Sequence, residues 1–217
     1  MTDFVLFDLD GTLTDSGPGI MNSARYAFKA MDVDVPDPEG LRKFVGPPLR
    51  ESFMAIPGFD ASKAEEAVAK YREYFTEKGI YENTLYPGVR EMLQTLSDRG
   101  KILILATSKV ETFSRRILDY FGIAQYFSFV SGSELNGERS EKAEIIRYAM
   151  DNVPGMTAER SIMVGDRKHD IIGAKAAGLK SVGVLYGYGD REELEEAGAD
   201  YIVDDVPELL FFLGSRL

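Results

Sequence analysis

The chain has 217 residues, room for one large domain or for one carrying an insert at ~100–200 residues per domain, and enough to bury a core without covalent or metal staples. The absence of cysteine and the single histidine exclude disulfides, thiolate nucleophiles, cysteine-ligated zinc or iron–sulfur centres, and any site built on two imidazoles. With 25 Lys and Arg against 36 Asp and Glu, the net charge of −11 repels nucleic acid and anionic membranes, so neither is an expected partner.

The opening MTDFVLFDLD is apolar but has no cationic start and reaches Asp8 too soon for a signal peptide. No apolar run approaches the ~18 residues of a membrane span, so a cytoplasmic protein is expected. Phe4–Phe7 reads as a buried strand. Residues 15 to 83 then carry helical patterns at 19–31 and 61–78, short pieces near 39–44 and 48–54, and no convincing strand. In 61–78, Ala64, Ala67, Val68, Tyr71, Tyr74 and Phe75 form an apolar stripe opposite Lys63, Glu66, Lys70, Glu73 and Glu77. The Gly17-Pro18-Gly19 and Tyr86-Pro87-Gly88 turns read as hinges at either end of this segment.

From there strands and helices alternate. Val89, Met92, Leu93 and Leu96 recur at helical spacing, with Pro87 suited to the first turn and Gly100 to the C-cap. Strands are expected at 102–106, 127–130, 162–164, 181–185 and 201–203, and helices at 110–121, 140–151, 168–177 and 206–213. Asp190 with Glu193 resembles a capping box opening one more short helix. The pattern predicts an α/β fold: a doubly wound parallel sheet covered on both faces, formed by residues 1–14 and 84–217, with 15–83 as an inserted helical cap over its carboxyl edge. Ligands of such sheets bind beyond the carboxyl ends of the strands.

The chemistry-bearing residues fall at those ends. Asp8 and Asp10 close the first strand and point the same way, and Gly11 permits a sharp turn that keeps both at the edge. Carboxylates this close repel, so one takes up a proton or both share a cation. Asp166 ends another apolar strand, and Asp170 lies one turn into the following helix on the same face. Together these acids make a hard, oxygen-only site of the kind Mg²⁺ prefers. Thr107 and Ser108 close the 102–106 strand and double as candidate N-cap residues of the next helix. Lys109 beside them and Lys142, at a later helix start, both suit a phosphate. His169, between Lys168 and Asp170, is assigned a structural role.

FDLDGT at 7–12, the strand ending in Thr107, the downstream Lys142 and GDRKHD at 165–170 resemble, in order, the four motifs of the haloacid dehalogenase-like hydrolases. The resemblance spans nearly the whole chain and is nearest the phosphoglycolate phosphatase-like branch, which includes bacterial 5′-nucleotidases. It implies a Rossmann-like core, a helical cap, and phosphoryl transfer rather than dehalogenation, because dehalogenating members lack the acid at the place of Asp10. By position, Asp8 is then the nucleophile and Asp10 the acid and base. Mg²⁺ is held by Asp8, the Asp10 backbone carbonyl, Asp166 and Asp170. Thr107, Ser108, Lys142, Gly11 and Thr12 bind the phosphoryl group, Lys109 being the rival lysine. Arg50, in the Gly/Pro-rich 44–50 loop of the cap, is a candidate contact for a remote anionic group of a small phosphomonoester, with Arg42 and Lys43 behind it. A phosphomutase and a non-enzymatic phospho-Asp receiver are the alternatives, a kinase being disfavoured by the absence of a G-x-x-x-x-G-K-[ST] loop. The substrate and the oligomeric state are not specified.

Overall fold

The computed structural model describes residues 2–135 and 138–215. They form two compact units, one comprising the described residues up to Asp15 and from Leu85 onward, the other Ser16–Thr84. The strands are β1 (Phe4–Phe7), β2 (Thr14–Asp15), β3 (Thr84–Leu85), β4 (Ile102–Val110), β5 (Phe127–Ser133), β6 (Ser161–Gly165), β7 (Lys180–Val184) and β8 (Tyr201–Val203). Six make a sheet in the order β5-β4-β1-β6-β7-β8, all neighbours parallel. The chain builds outward from β1 through β4 to β5, then returns to the other side of β1 for β6. Strand order therefore reverses at β1, where such sheets open their ligand crevice.

All four residues of β1 are buried, as a strand covered on both faces requires. Phe4 and Leu6 share one core cluster with Ile104, Ala106 and Met163 from the flanking strands. The expected strand at 102–106 runs on to Val110, so Thr107 and Ser108 lie within β4 instead of capping a helix. Pairing to β5 resumes at Val110↔Ser133 after an irregularity, which carries the strand past its apolar stretch.

The second unit is helical: α1 (Gly17–Ala30), α2 (Pro38–Arg42), α3 (Leu49–Met54) and α4 (Ala61–Glu77). Gly17-Pro18-Gly19 is not a hinge turn; it opens α1, where proline fits the first turn without losing a hydrogen bond. A Cβ on Gly19 would lie 2.0 Å from the Gly79 carbonyl oxygen, so the residue serves close packing. The stripe on α4 buries Ala64, Ala67, Val68, Tyr71 and Phe75, while Tyr74 sits at its margin and donates to Glu82 at 2.8 Å. Phe28, Phe44 and Phe53 form the aromatic centre of the unit, with ring centroids 4.8–5.8 Å apart.

The remaining helices belong to the sheet unit: α5 (Val89–Asp98), α6 (Glu111–Tyr120), α7 (Lys142–Asn152), α8 (Lys168–Ala176), α9 (Arg191–Ala197) and α10 (Val206–Ser215). Ile145, Ile146 and Ala149 of α7 and Ala174 of α8 complete the core cluster on one sheet face. Pro87 falls outside the first turn of α5, whose N-cap is Gly88. At its far end the Lys101 N–H donates to Leu96 and the Gly100 N–H to Ser97, a glycine-type C-cap. Only half of the box at α9 forms: Asp190 accepts from the Glu193 N–H, while the Glu193 carboxylate is drawn to Arg167 and the Lys168 N–H, each at 2.8 Å.

Candidate active site

Asp8 follows β1 directly, its N–H on the Val164 carbonyl at 2.9 Å, which pins the end of β1 to β6. The chain then turns tightly, the Leu9 carbonyl accepting from the Leu13 and Thr14 N–H groups at 2.9 and 3.0 Å. Gly11 has φ +84°, and a Cβ there would meet Asp166 Oδ2 at 2.1 Å. Gly11→Ala is expected to cost about 1–3 kcal/mol from backbone strain alone, read as a lowered denaturation midpoint.

Asp166, one residue past β6, is fully buried. Thr12 Oγ1 donates to its Oδ1 at 3.2 Å and the Tyr188 N–H to its Oδ2 at 2.8 Å. Asp170 lies in the first turn of α8, where the helix end favours an anion, and accepts the Arg167 N–H at 3.1 Å. Carboxylate oxygens of Asp8, Asp166 and Asp170 all lie within 4.8 Å of one another.

Lys142 opens α7 and reaches into this cluster. Its Nζ lies 2.9 Å from Asp8 Oδ1 and 2.7 Å from Asp170 Oδ1, and donates to the Ala106 carbonyl at 3.0 Å. Lys109 also reaches the edge, but pairs with Asp10 Oδ2 at 2.7 Å. The two lysines are thus divided between the acids, Lys142 serving the buried cluster. Thr107 is buried and accepts the Lys109 N–H at 3.3 Å, and Ser108 beside it is half-buried.

Burial lifts the Asp8 carboxyl from 3.8 to about 6, against the opposing pull of Lys142. Asp166 is raised well above the ordinary carboxylate range by burial, then by Asp170 and Asp8. Burial alone would lower Lys142, but Asp170 and Asp8 outweigh it and hold the ammonium charged. If all four carboxyls are ionised they carry two more charges than the two ammonium groups offset, a repulsion that, without a further cation, adds to burial in raising Asp8 and Asp166. Asp10 Oδ1 is buried with no hydrogen-bond donor among the described residues. A hard divalent cation matches this oxygen-only, doubly negative set. The Asp10 carboxylate lies outside the three-acid cluster.

Arg50 lies in the helical unit, where it pairs with Glu65 at 2.7 Å on an exposed surface; Arg42 and Lys43 are exposed as well. His169 is exposed. The tyrosine–glycine loop at 186–189 follows a strand, which by sequence suits either the border of the site or a packing turn, and it does touch the acidic site, at Thr12 and Asp166. Gly-rich spacing after an apolar strand was the available signal, and it is shared with ordinary packing turns.

The family model described as haloacid dehalogenase-like hydrolase matches residues 5–184. A 5′-nucleotidase from Pseudomonas aeruginosa is 45% identical over 212 residues, spanning 98% of this chain and 96% of its own. A tyrosine-protein kinase, PtkA, from Mycobacterium tuberculosis is 38% identical over 211 residues, 95% of this chain and 72% of its own. The crystal structure of a predicted phosphatase from Clostridium acetobutylicum has a TM-score of 0.92 at 47% identity, covering 97% of both chains. With one family's model matching most of its length and close relatives aligned nearly end to end, the chain belongs to the haloacid dehalogenase-like hydrolases.

Proposed function

We propose that the protein is a Mg²⁺-dependent phosphatase that hydrolyses a small phosphomonoester through an aspartyl-phosphate on Asp8. One observation carries this reading: three carboxylates, from Asp8, Asp166 and Asp170, converge at the carboxyl end of a parallel sheet, where the buried Lys142 pairs with Asp8 and Asp170. Asp8, Asp166, Asp170 and the Asp10 carbonyl would hold Mg²⁺, which when bound offsets charge on the phosphoryl oxygens and acids alike.

An Asp8 carboxylate oxygen attacks phosphorus, and the ester oxygen leaves as an alcohol with a proton from Asp10. Asp10 then takes a proton from water as that water attacks the phosphorus of the aspartyl-phosphate, releasing inorganic phosphate and restoring Asp8. Lys142 and the Thr107 and Ser108 hydroxyls hold the transferring oxygens, with the backbone at Gly11 and Thr12 completing the cradle. We assign substrate choice to the helical unit, Arg50 included, and place the enzyme in the cytoplasm with a diffusible substrate. Among the described residues no helix is long and apolar enough to cross a membrane.

The kinase-named relative favours a second reading, transfer of the Asp8 phosphoryl group to an acceptor other than water. Phosphate release across phosphoglycolate, nucleoside 5′-monophosphates, sugar phosphates and pyrophosphate separates the two. The expected result is release of free phosphate from at least one ester, silenced by EDTA and restored by Mg²⁺. Full turnover in EDTA overturns the metal assignment. Isomerised sugar phosphate, or a phosphorylated protein in place of free phosphate, moves the assignment to a transferase.

A further inference from the structure

The loop after β7, Tyr186-Gly187-Tyr188-Gly189, takes no part in the chemistry above, yet it binds two separate parts of the acidic site. The Tyr186 hydroxyl donates to the Thr12 carbonyl at 3.0 Å, holding the turn that follows Asp8 and Asp10. The Tyr188 N–H donates to Asp166 Oδ2 at 2.8 Å, and its hydroxyl donates to Asp15 Oδ1 at 2.7 Å. Gly187 fills the gap between these anchors, where a Cβ would lie 2.3 Å from Asp166 Cβ and 2.4 Å from the Gly11 carbonyl oxygen. Tyr86 packs edge-on against Tyr186, with ring centroids 5.0 Å apart.

Asp166 is thereby gripped from both sides, Thr12 on one oxygen and the Tyr188 main chain on the other. Each bond uses one lone pair of its oxygen and fixes the plane of the carboxylate. The position of the Tyr188 N–H depends in turn on where the rest of that residue is tied, and its rigid ring is tied at the far end to Asp15. We infer that Tyr188 is a positioning residue, which orients the Asp166 carboxylate for a divalent cation through its main chain and draws its own placement from Asp15. This rests on the reading of Asp8, Asp166 and Asp170 as a Mg²⁺ site. Partners that orient a metal-binding carboxylate in this way are worth about 10–100-fold in metal affinity.

The test titrates Mg²⁺ by calorimetry into the metal-free wild type, Tyr188→Phe, Asp15→Ala and Asp15→Asn, each checked for fold by circular dichroism. Tyr188→Phe and Asp15→Ala are each expected to raise the Mg²⁺ Kd about tenfold, while Asp15→Asn, which keeps an acceptor for the hydroxyl, stays near wild type. The two losses overlap when combined, because both remove the Tyr188–Asp15 bond, although Tyr188→Phe also removes the hydroxyl's hydrogen bond with Tyr86. In turnover the deficit takes the form of a higher Mg²⁺ requirement, with the KM for the phosphoester at saturating Mg²⁺ unmoved. Asp15→Ala reads the same bond as Tyr188→Phe, so the result does not hang on one variant folding. A Kd within about twofold of wild type in both overturns the inference. If the wild type itself takes up no Mg²⁺, and Asp166→Asn behaves identically, the metal site falls and the positioning role falls with it.

Discussion

Asp8→Asn is expected to abolish the acid-trapped phosphoenzyme and to lower kcat by at least a hundredfold, a barrier increase of ~2.7 kcal/mol. The amide has the shape of the carboxylate but cannot act as the nucleophile. Its fold should survive. Asp8 is buried among other acids, and its carboxyl is already lifted to about 6, so removing the charge relieves repulsion with Asp170 and Asp10. Lys142 keeps Asp170 as a counter-charge at 2.7 Å. Unfolding curves should therefore overlay those of wild type or shift to higher denaturant. More than a hundredth of wild-type kcat in a folded variant contradicts the role assigned to Asp8.

Lys142→Met should be harmful in a different way, striking stability as well as turnover. The methionine fills much of the volume but leaves the Asp8 and Asp170 oxygens buried without their ammonium. Breaking a buried pair from one side costs about 3–5 kcal/mol, and that loss is expected in metal-free protein by urea titration. The acids escape part of the cost by holding a proton. A carboxyl whose folded pKa is raised stabilises the fold while protonated and loses that contribution as pH rises, so the deficit should deepen as pH climbs through 6 and beyond. Added Mg²⁺ should restore part of the stability, because it supplies positive charge to the same oxygens, whereas kcat stays low without a lysine on the phosphoryl group. A loss below about 1 kcal/mol in the absence of metal would show that Lys142 is not the counter-charge of this cluster.

The six sheet strands were legible because each is an apolar run between turn residues, and 201–203 matched residue for residue. Asp8 and Asp166 were legible for a related reason, because an acid placed just past such a run has to sit at the sheet's edge, and Asp170 because one helical turn brings it back to the same face as Asp166. What the sequence concealed depends on partners distant along the chain. Nothing local in Thr107 to Val110 says that β4 continues, because the continuation relies on Ser133 across a break in register. The Gly17-Pro18-Gly19 turn was misplaced because proline and glycine suit a helix start as well as a hinge, and contact with Gly79 decides between them. Lys109 and Lys142 could not be ranked by type; they are told apart by which acid each reaches. Tyr188 bonds to residues 22 and 173 positions away, and local spacing carries no record of such pairs.

The chain leaves the sheet unit after Asp15 and rejoins it at Leu85, and the Tyr86 N–H ties the return to the Leu13 carbonyl at 3.1 Å. The two ends of the excursion are thus already joined inside the sheet unit, whatever is strung between them. A segment spliced in at such a junction incurs a closure entropy that grows only slowly with its length, by about 0.6 kcal/mol per doubling. The length of what lies between Asp15 and Leu85 is therefore weakly constrained by the sheet unit, which keeps its own junction closed whatever that length is.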